Sequence, residues 1–294
     1  MGDFFTIALF TAMLRMTTPL LFTAMGGLIS ERSGIMNIGL EGMMLTGAFF
    51  AVAGTKWTGN PWAGLVIGVL AAGAAAAVHA VWCIAFQANQ IIAGTAINLL
   101  AAGLTAFLLQ VIWGKAGASD SVQKLPNIAS GVNVLVPIAF ILVPLVYFFL
   151  FRTKPGLHVL AAGEHPQAAE SVGINVNRNR YIAVIAGGML AGFGGAFLSI
   201  GDLSYFTLDM TAGRGFIALA AVIFGGWMPF GVLGATLLFG ASQAIQIQGQ
   251  ATQGFPISSD LLVTLPYLLT LIAITGIVRS SNAPAGLGKH ANAH

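Results

Sequence analysis

Charge is what this sequence has least of. Of its 294 residues only 7% are Asp, Glu, Lys or Arg, where a soluble domain carries roughly a quarter, so the chain cannot cover a water-facing surface and holds no separate soluble domain. Cysteine is nearly absent too. The single Cys83 lies inside an apolar run, which excludes a disulfide framework or a Cys-based zinc site. The net charge of +3 is too small to draw a nucleic acid. A phosphate-cradling Gly-x-x-x-x-Gly-Lys-Ser/Thr loop is missing as well: the nearest stretch, Gly288-Lys289-His290, lacks both the first Gly and the hydroxyl. What the chain has in abundance is apolar and small, 57% hydrophobic residues and 38 glycines at a mean hydropathy of +0.87. Small residues let membrane helices pack closely. The composition therefore predicts an integral membrane protein, and at about 20 apolar residues per span there is room for about eight to ten spans.

The fold class expected is all-α and polytopic. Apolar runs between polar, Pro or Gly breaks predict about nine transmembrane helices, near 5–29, 35–55, 62–86, 90–113, 133–151, 181–200, 208–228, 230–249 and 258–278. The opening stretch has no basic residue before Arg15 and no small-residue cleavage site, so its first apolar segment is expected to be retained. Basic residues set the orientation. Arg32, Arg152, Lys154, Arg178, Arg180, Arg279 and Lys289 fall on one side, against Lys56, Lys115 and Lys124 on the other. The positive-inside rule makes the first side cytoplasmic, with the C-terminus there and the N-terminus outside.

An internal repeat accompanies this pattern. The segment from Gly42 to Gly54 resembles that from Gly215 to Gly226, each followed by a Pro-aromatic helix start (Pro61-Trp62, Pro229-Phe230), and a third pair lies around Thr95 and Thr264. Copies at about 5–113 and 181–278, separated by one span and a long connection at 152–180, would enter the membrane from opposite sides. Such inverted repeats surround a site near the midplane in many transporters. The arrangement predicts a single transmembrane domain over 1–278 and a flexible tail over 279–294.

Two places carry the chemistry. Glu41 and Arg214 occupy matching repeat positions, each just before the first Gly of its segment, and a charge deep in a membrane usually faces a cavity or a partner. Asn37 lies four residues before Glu41. The run from Ser33 to Gly42 is Gly-rich enough to break a helix, and broken helices expose backbone groups only where they line a cavity. Away from the spans, Pro166 and Gly173 bracket a helix of about two turns, with Glu164 expected near its positive end. A short capped helix between spans forms a knob suited to a cytoplasmic partner. His79, alone in an apolar helix, reads as a packed or pathway-lining residue, Arg15 as a helix-bend or snorkelling residue, and Gly64/Gly68 and Gly188/Gly192 as close-packing faces.

The stretch from Met25 to Ala48, with Glu31-Arg32-Ser33-Gly34 and Asn37-Ile-Gly-Leu-Glu41-Gly42, resembles the signature of permease subunits of ATP-binding-cassette importers for branched-chain amino acids, simple sugars and nucleosides, most nearly the nucleoside branch. Gly163-Glu164-His165-Pro166-Gln-Ala-Ala169-Glu170-Ser-Val-Gly173-Ile174 resembles that family's coupling helix, and Thr211–Gly226 is a further match. The resemblance implies a non-catalytic permease in the bacterial inner membrane. Its partners would be a cytoplasmic ATP-binding subunit that hydrolyses ATP with Mg, a second and non-identical permease, an extracytoplasmic binding protein and membrane lipid; this chain itself would bind no cofactor. ATPase coupling would fall to Gly163, Glu164, His165, Pro166, Ala169, Glu170 and Gly173. The substrate pathway expected is Asn37, Glu41, Asn98, Arg214, Phe216 and Tyr267, aromatics stacking on a base and polar groups meeting base edges or ribose hydroxyls. A simple-sugar permease such as one for ribose, and a secondary transporter, stay open as alternatives. An intramembrane enzyme would need a nucleophile–base set that the apolar segments lack.

Overall fold

The computed structural model describes residues 7–129, 132–251, 264 and 283–289. They form a helical bundle with one minor β-hairpin. The helices are α1 (Ile7–Arg32), α2 (Leu40–Thr58), α3 (Pro61–Ala80), α4 (Gln90–Trp113), α5 (Leu135–Arg152), α6 (Lys154–Glu164), α7 (Pro166–Ser171), α8 (Val176–Ala196), α9 (Arg214–Phe224) and α10 (Pro229–Ala251). α3 and α8 run on as π-helical turns, Val81–Ala85 and Phe197–Leu203. Strands β1 (Asn127–Ala129) and β2 (Val132–Asn133) pair antiparallel in the connection before α5.

The boundaries follow local chemistry. Asn60 accepts a hydrogen bond from the Trp62 N–H with Pro61 in the first turn, Asn89 caps α4 through the Ile91 and Ile92 N–H groups, and Asn175 caps α8 through Arg178. Gly59 and Gly114 close α2 and α4 in the left-handed conformation. Among the described residues six helices are long and apolar enough to cross a membrane: Leu9–Arg32, Pro61–Ala85, Gln90–Trp113, Leu135–Arg152, Val176–Leu203 and Pro229–Gln250. The expected count of nine is not reached on that measure. α2 carries Glu41 and Lys56 and is the most enclosed helix, buried from Leu40 to Thr55 save Phe50. The segment expected at 208–228 shrinks to α9, whose 11 residues extend about 16 Å, half a bilayer core. The segment expected at 258–278 lies outside the described residues, Thr264 apart.

α8 is the centre of the bundle, with α1, α2 and α3 against it. Missing side chains set that packing. A Cβ on Gly187 would meet the Gly26 carbonyl at 2.5 Å, and one on Gly47 the Gly192 Cα at 2.6 Å, so α8 lies backbone to backbone on α1 and α2. Gly64 and Gly68 do the same for α3 against α2, and Gly188 and Gly192 for α8 against α3, as their spacing predicts. In contrast, α4 turns Ile92, Leu99, Phe107 and Val111 outward, an apolar face that suits lipid or another membrane subunit.

The connection 152–180 holds two helices rather than one. Thr153 caps α6 by accepting from the Gly156 N–H, and α7 follows after His165. Residues 283–289, part of the stretch expected to be a flexible tail, fold back onto the end of α6: the Gly286 N–H donates to the Gly163 carbonyl (2.8 Å) and the Gly288 N–H to the Gly34 carbonyl (3.0 Å).

Candidate functional site

Between α1 and α2 the chain leaves helical geometry over Ser33–Gly39, and inside a bundle every freed backbone group there needs a partner. The partners come from three helices, α1, α3 and α4. Ser30 Oγ donates to the Ile35 carbonyl (3.1 Å), Gln90 Oε1 accepts from the Met36 N–H (2.7 Å), His79 Nε2 lies 3.3 Å from the Met36 carbonyl, and Asn98 Nδ2 donates to the Ile38 carbonyl (3.0 Å). His79 is thus a packed residue that fixes the broken segment. Asn98 has a second task, its Oδ1 accepting from the Gly42 N–H at 2.8 Å. Both ends of that amide brace the start of α2.

Glu41 faces the start of α9 rather than the Arg214 side chain. Its Oε1 accepts from the Gly213 N–H (2.9 Å) and its Oε2 from the Gly215 N–H (2.6 Å). A carboxylate across the free N–H groups of a helix N-terminus gains from both the hydrogen bonds and the aligned peptide dipoles. The approach depends on glycine: a Cβ on Gly215 would stand 2.5 Å from the Glu41 backbone nitrogen. The turn leading in is strained, with positive φ at Asp209, Ala212 and Gly213. Arg214 directs Nη1 at the Met210 and Thr211 carbonyls (3.3 and 3.2 Å), and its buried Nε finds no partner among the described residues. Other buried polar atoms share that condition, among them Thr211 Oγ1 just before α9 and Asn37 Oδ1 in the broken segment.

Of the six expected pathway residues, then, Glu41 and Arg214 meet at the start of α9. Asn98 is a brace for α2, and Asn37 is wholly buried with its Nδ2 directed at Met43 Sδ (3.6 Å). Phe216 is half exposed on α9. Tyr267 lies outside the described residues.

The coupling residues meet differently from expectation. Glu164 ends α6 instead of capping α7: one carboxylate oxygen lies 3.5 Å from Arg32 Nη1 and the other accepts from the Ala285 N–H at 3.1 Å. Gly163 presses on Arg32 and Gly34, where a Cβ would reach the Gly34 nitrogen at 3.0 Å. His165 joins α6 to α7, its N–H on the Ala161 carbonyl and its carbonyl accepting from Ala169. Pro166 starts α7, Ala169 is its buried anchor, and Gly173 at φ +85 ends it. Glu170 and Val172 are exposed, Val172 by 74%.

Two residues that matter here escaped the sequence reading. Arg180, 2% exposed, sends Nε to the Ser33 carbonyl (3.1 Å) and Nη2 to the Ala162 carbonyl (3.5 Å). Trp227, at φ +53, donates its indole N–H to Glu31 Oε2 (2.6 Å) and accepts Arg32 Nε on its carbonyl (2.8 Å). The sequence signal available for Trp227 was the Gly225-Gly226-Trp227 run before Pro229, which marks a tight turn without naming its partners. Arg180 was legible only as one more basic residue beside Arg178.

Among the described residues no three His, Cys, Asp or Glu gather as a metal site. What the geometry offers is a half-length helix, α9, aimed with its N-terminus at a carboxylate inside the bundle, and an exposed knob, α7, at the end holding Arg32. The family model described as "Branched-chain amino acid transport system / permease component" matches residues 9–274. The chain is 38% identical over 292 residues to the guanosine ABC transporter permease protein NupQ of Bacillus subtilis, covering 92% of each chain. It is 36% identical over 297 residues to the nucleoside ABC transporter permease protein NupC of Lactococcus lactis, covering 94% of each. It is 35% identical over 314 residues to a putative glucose ABC transporter permease protein, TsgC13, of Haloferax volcanii, covering 95% of this chain and 94% of the relative.

Proposed function

The chain belongs to the branched-chain amino acid transport system permease-component family, and from that premise we propose how its parts serve transport. It is a multi-pass protein of the cytoplasmic membrane and a permease subunit for nucleoside import; the observation that carries this is its identity of 38% and 36%, along more than nine-tenths of each chain, to a guanosine and a nucleoside permease. The permease is a non-catalytic subunit. Energy then comes from an ATP-binding partner that hydrolyses ATP with Mg, substrate from an extracytoplasmic binding protein, and the other wall of the pathway from a second, non-identical permease.

The C-terminus and the α6–α7 segment lie on the cytoplasmic side, a reading supported by the basic residues gathered there. α7 is the docking knob, with Ala169 holding it down and Glu170 and Val172 presented outward. The pathway runs past the start of α9, where Arg214 and Phe216 stand. Unpartnered Asn37 Oδ1, Thr211 Oγ1 and Arg214 Nε supply hydrogen-bonding groups for a neutral, polar, flat solute. The relative named as a putative glucose permease, at 35% identity, favours a sugar as the second reading.

The test is uptake of labelled nucleosides, free bases, ribose, glucose and leucine into cells with and without the gene, its partner subunits intact. Loss confined to nucleosides is the expected result. Loss of glucose or ribose uptake instead would move the substrate to the sugars, and uptake that survives ATP depletion with the proton gradient kept would indicate a secondary transporter.

A further inference from the structure

α9 is held at both ends by carboxylates that lie more than 170 positions before their partners in the chain. At its N-terminus Glu41, on α2, accepts from the Gly213 and Gly215 N–H groups at 2.9 and 2.6 Å. Past its C-terminus Glu31, on α1, takes the Trp227 indole N–H at 2.6 Å, while the adjacent Arg32 takes the Trp227 carbonyl at 2.8 Å. A helix of 11 residues is a short rigid rod, so fixing its two ends fixes its axis.

The second end also touches the α6–α7 segment. Arg32 reaches Glu164 through Nη1 at 3.5 Å, a looser contact than its bond to Trp227. Glu164 in turn is tied to the returning tail at Ala285, and the Ser33 and Ala162 carbonyls are both held by Arg180. The Glu31–Gly34 corner therefore joins three bodies, the end of α6, the end of α1 and the turn between α9 and α10. A displacement of α6 must either break Glu164 from Arg32 or carry Arg32, and with it Trp227 and α9. The far end of α9 abuts Glu41 and the unpartnered polar atoms at the site.

We propose that Glu31, Arg32 and Trp227 are the positioning residues that pass movement of the α6–α7 segment into α9, and so to the Glu41 end of the site. This rests on the reading of the chain as the permease of an ATP-driven importer. In the motif Glu31-Arg32-Ser33-Gly34 the charged pair acts as a linkage and does not contact substrate.

The experiment uses the assembled transporter in nanodiscs, with Cys83→Ala as background and spin-label pairs joining Lys115→Cys to either Val172→Cys on the α7 side or Phe216→Cys on α9. ATP binding is expected to shift both distances in the otherwise unmodified chain. Trp227→Phe keeps the ring and loses the indole donor, and Glu31→Leu keeps the volume and loses the acceptor; in both, the Val172 distance still shifts and the Phe216 distance does not. Uptake per ATP hydrolysed falls on the order of tenfold with them. Glu31→Gln, which can still accept from the indole, restores the Phe216 shift, an outcome that a merely structural role would not single out. Retention of the Phe216 shift in Trp227→Phe and Glu31→Leu, or its absence in the unmodified chain while Val172 moves, overturns the linkage. Failure of the intact transporter to take up nucleosides overturns the substrate reading alone, because the distance changes are read without substrate.

Discussion

The two ends of the bundle are sewn together by different stitches. At the end carrying the 114–134 connection, backbone meets backbone: Ser119 N–H on the Phe206 carbonyl (2.9 Å), Val122 on Ser204 (2.7 Å), Leu125 on Ile200 (2.9 Å) and Leu208 on Gly117 (2.9 Å). The cations at this end are exposed: Lys115 on Asp120, Arg15 on Asp202 and Lys124 on the Asp202 carbonyl. At the end holding α6 and α7, and along the line from there to Glu41, the stitches are buried charges on backbone groups: Glu41 on two N–H groups, Arg32 and Arg180 on carbonyls. A ladder of backbone bonds survives most substitutions of side chains. Buried charges do not, since each has left water and depends on its partners. The contrast assigns a static role to the first end and a side-chain-encoded, adjustable one to the second.

The most severe test of that contrast is Glu41→Gln. Glutamine can accept only one of the two N–H groups and turns its own donor toward the other, so the start of α9 loses a charged hydrogen bond at a cost of about 2 kcal/mol. In the assembled complex uptake should fall more than about tenfold, with membrane insertion retained. Gly215→Ala should do as much by steric means, pushing the Glu41 backbone away. Unchanged uptake with either variant at normal expression would remove this contact from the site.

Much of the framework was legible in the sequence, and the reason is physical. Apolar runs and the polar, Pro or Gly breaks between them are local signals, and they located the long helices up to α10, while α6, inside the polar connection, was not foreseen and α9 came out shorter than the run that holds it. Glu41 stood out because a carboxylate in an apolar segment is costly, and the break at Ser33–Gly39 because glycines cluster there. Its partner was not identified. The repeat matched Glu41 to Arg214 by position only, and the carboxylate took the backbone N–H groups on either side of Arg214; a backbone donor carries no residue identity. Trp227 and Arg180 were missed for a related reason: their bonds to the Glu31–Ser33 stretch reach across more than 145 positions of the chain, and Arg180 binds only carbonyls. Glu164 was read as a helix-start residue, which is what a lone Glu before a proline suggests until Arg32 is brought beside it.

A smaller effect is expected at Arg180. Arg180→Met keeps the stem packed and deletes the bonds to the Ser33 and Ala162 carbonyls, a loss of roughly 2 kcal/mol. Thermal unfolding of the purified complex in detergent should shift downward by a few degrees. The ratio of ATP hydrolysed to solute moved should rise, because α6 is then held to the α1–α2 corner by fewer contacts. A downward shift with no change in that ratio would make Arg180 a packing residue and narrow the adjustable end to Arg32 and Glu164.

Smaller again is the returning tail. A side chain on Gly286 would meet the Gly163 carbonyl at 2.7 Å and Pro166 Cδ at 3.3 Å, so Gly286→Val should lift residues 284–288 from α6 while leaving the helices in place. Limited proteolysis is the direct readout, with cleavage after Lys289 rising and uptake reduced only a few-fold. Uptake as low as in Glu41→Gln would mean that the tail is as much a part of the linkage as the buried charges.

The least effect belongs to the opposite end. Arg15 pairs with Asp202 at 3.0 Å, but its side chain is 52% exposed, and ion pairs open to solvent contribute about 0–1 kcal/mol. Asp202 keeps a second tie in any case, its carbonyl accepting from Lys124 Nζ at 2.6 Å. Arg15→Gln should therefore leave uptake within about twofold of the starting value and the unfolding temperature within roughly 2 °C. The comparison depends on this near-silence. If Arg15→Gln lowered uptake as far as Arg180→Met does, the end carrying the 114–134 connection would also work through its charges, and the static role assigned to its backbone ladder would have to be given up.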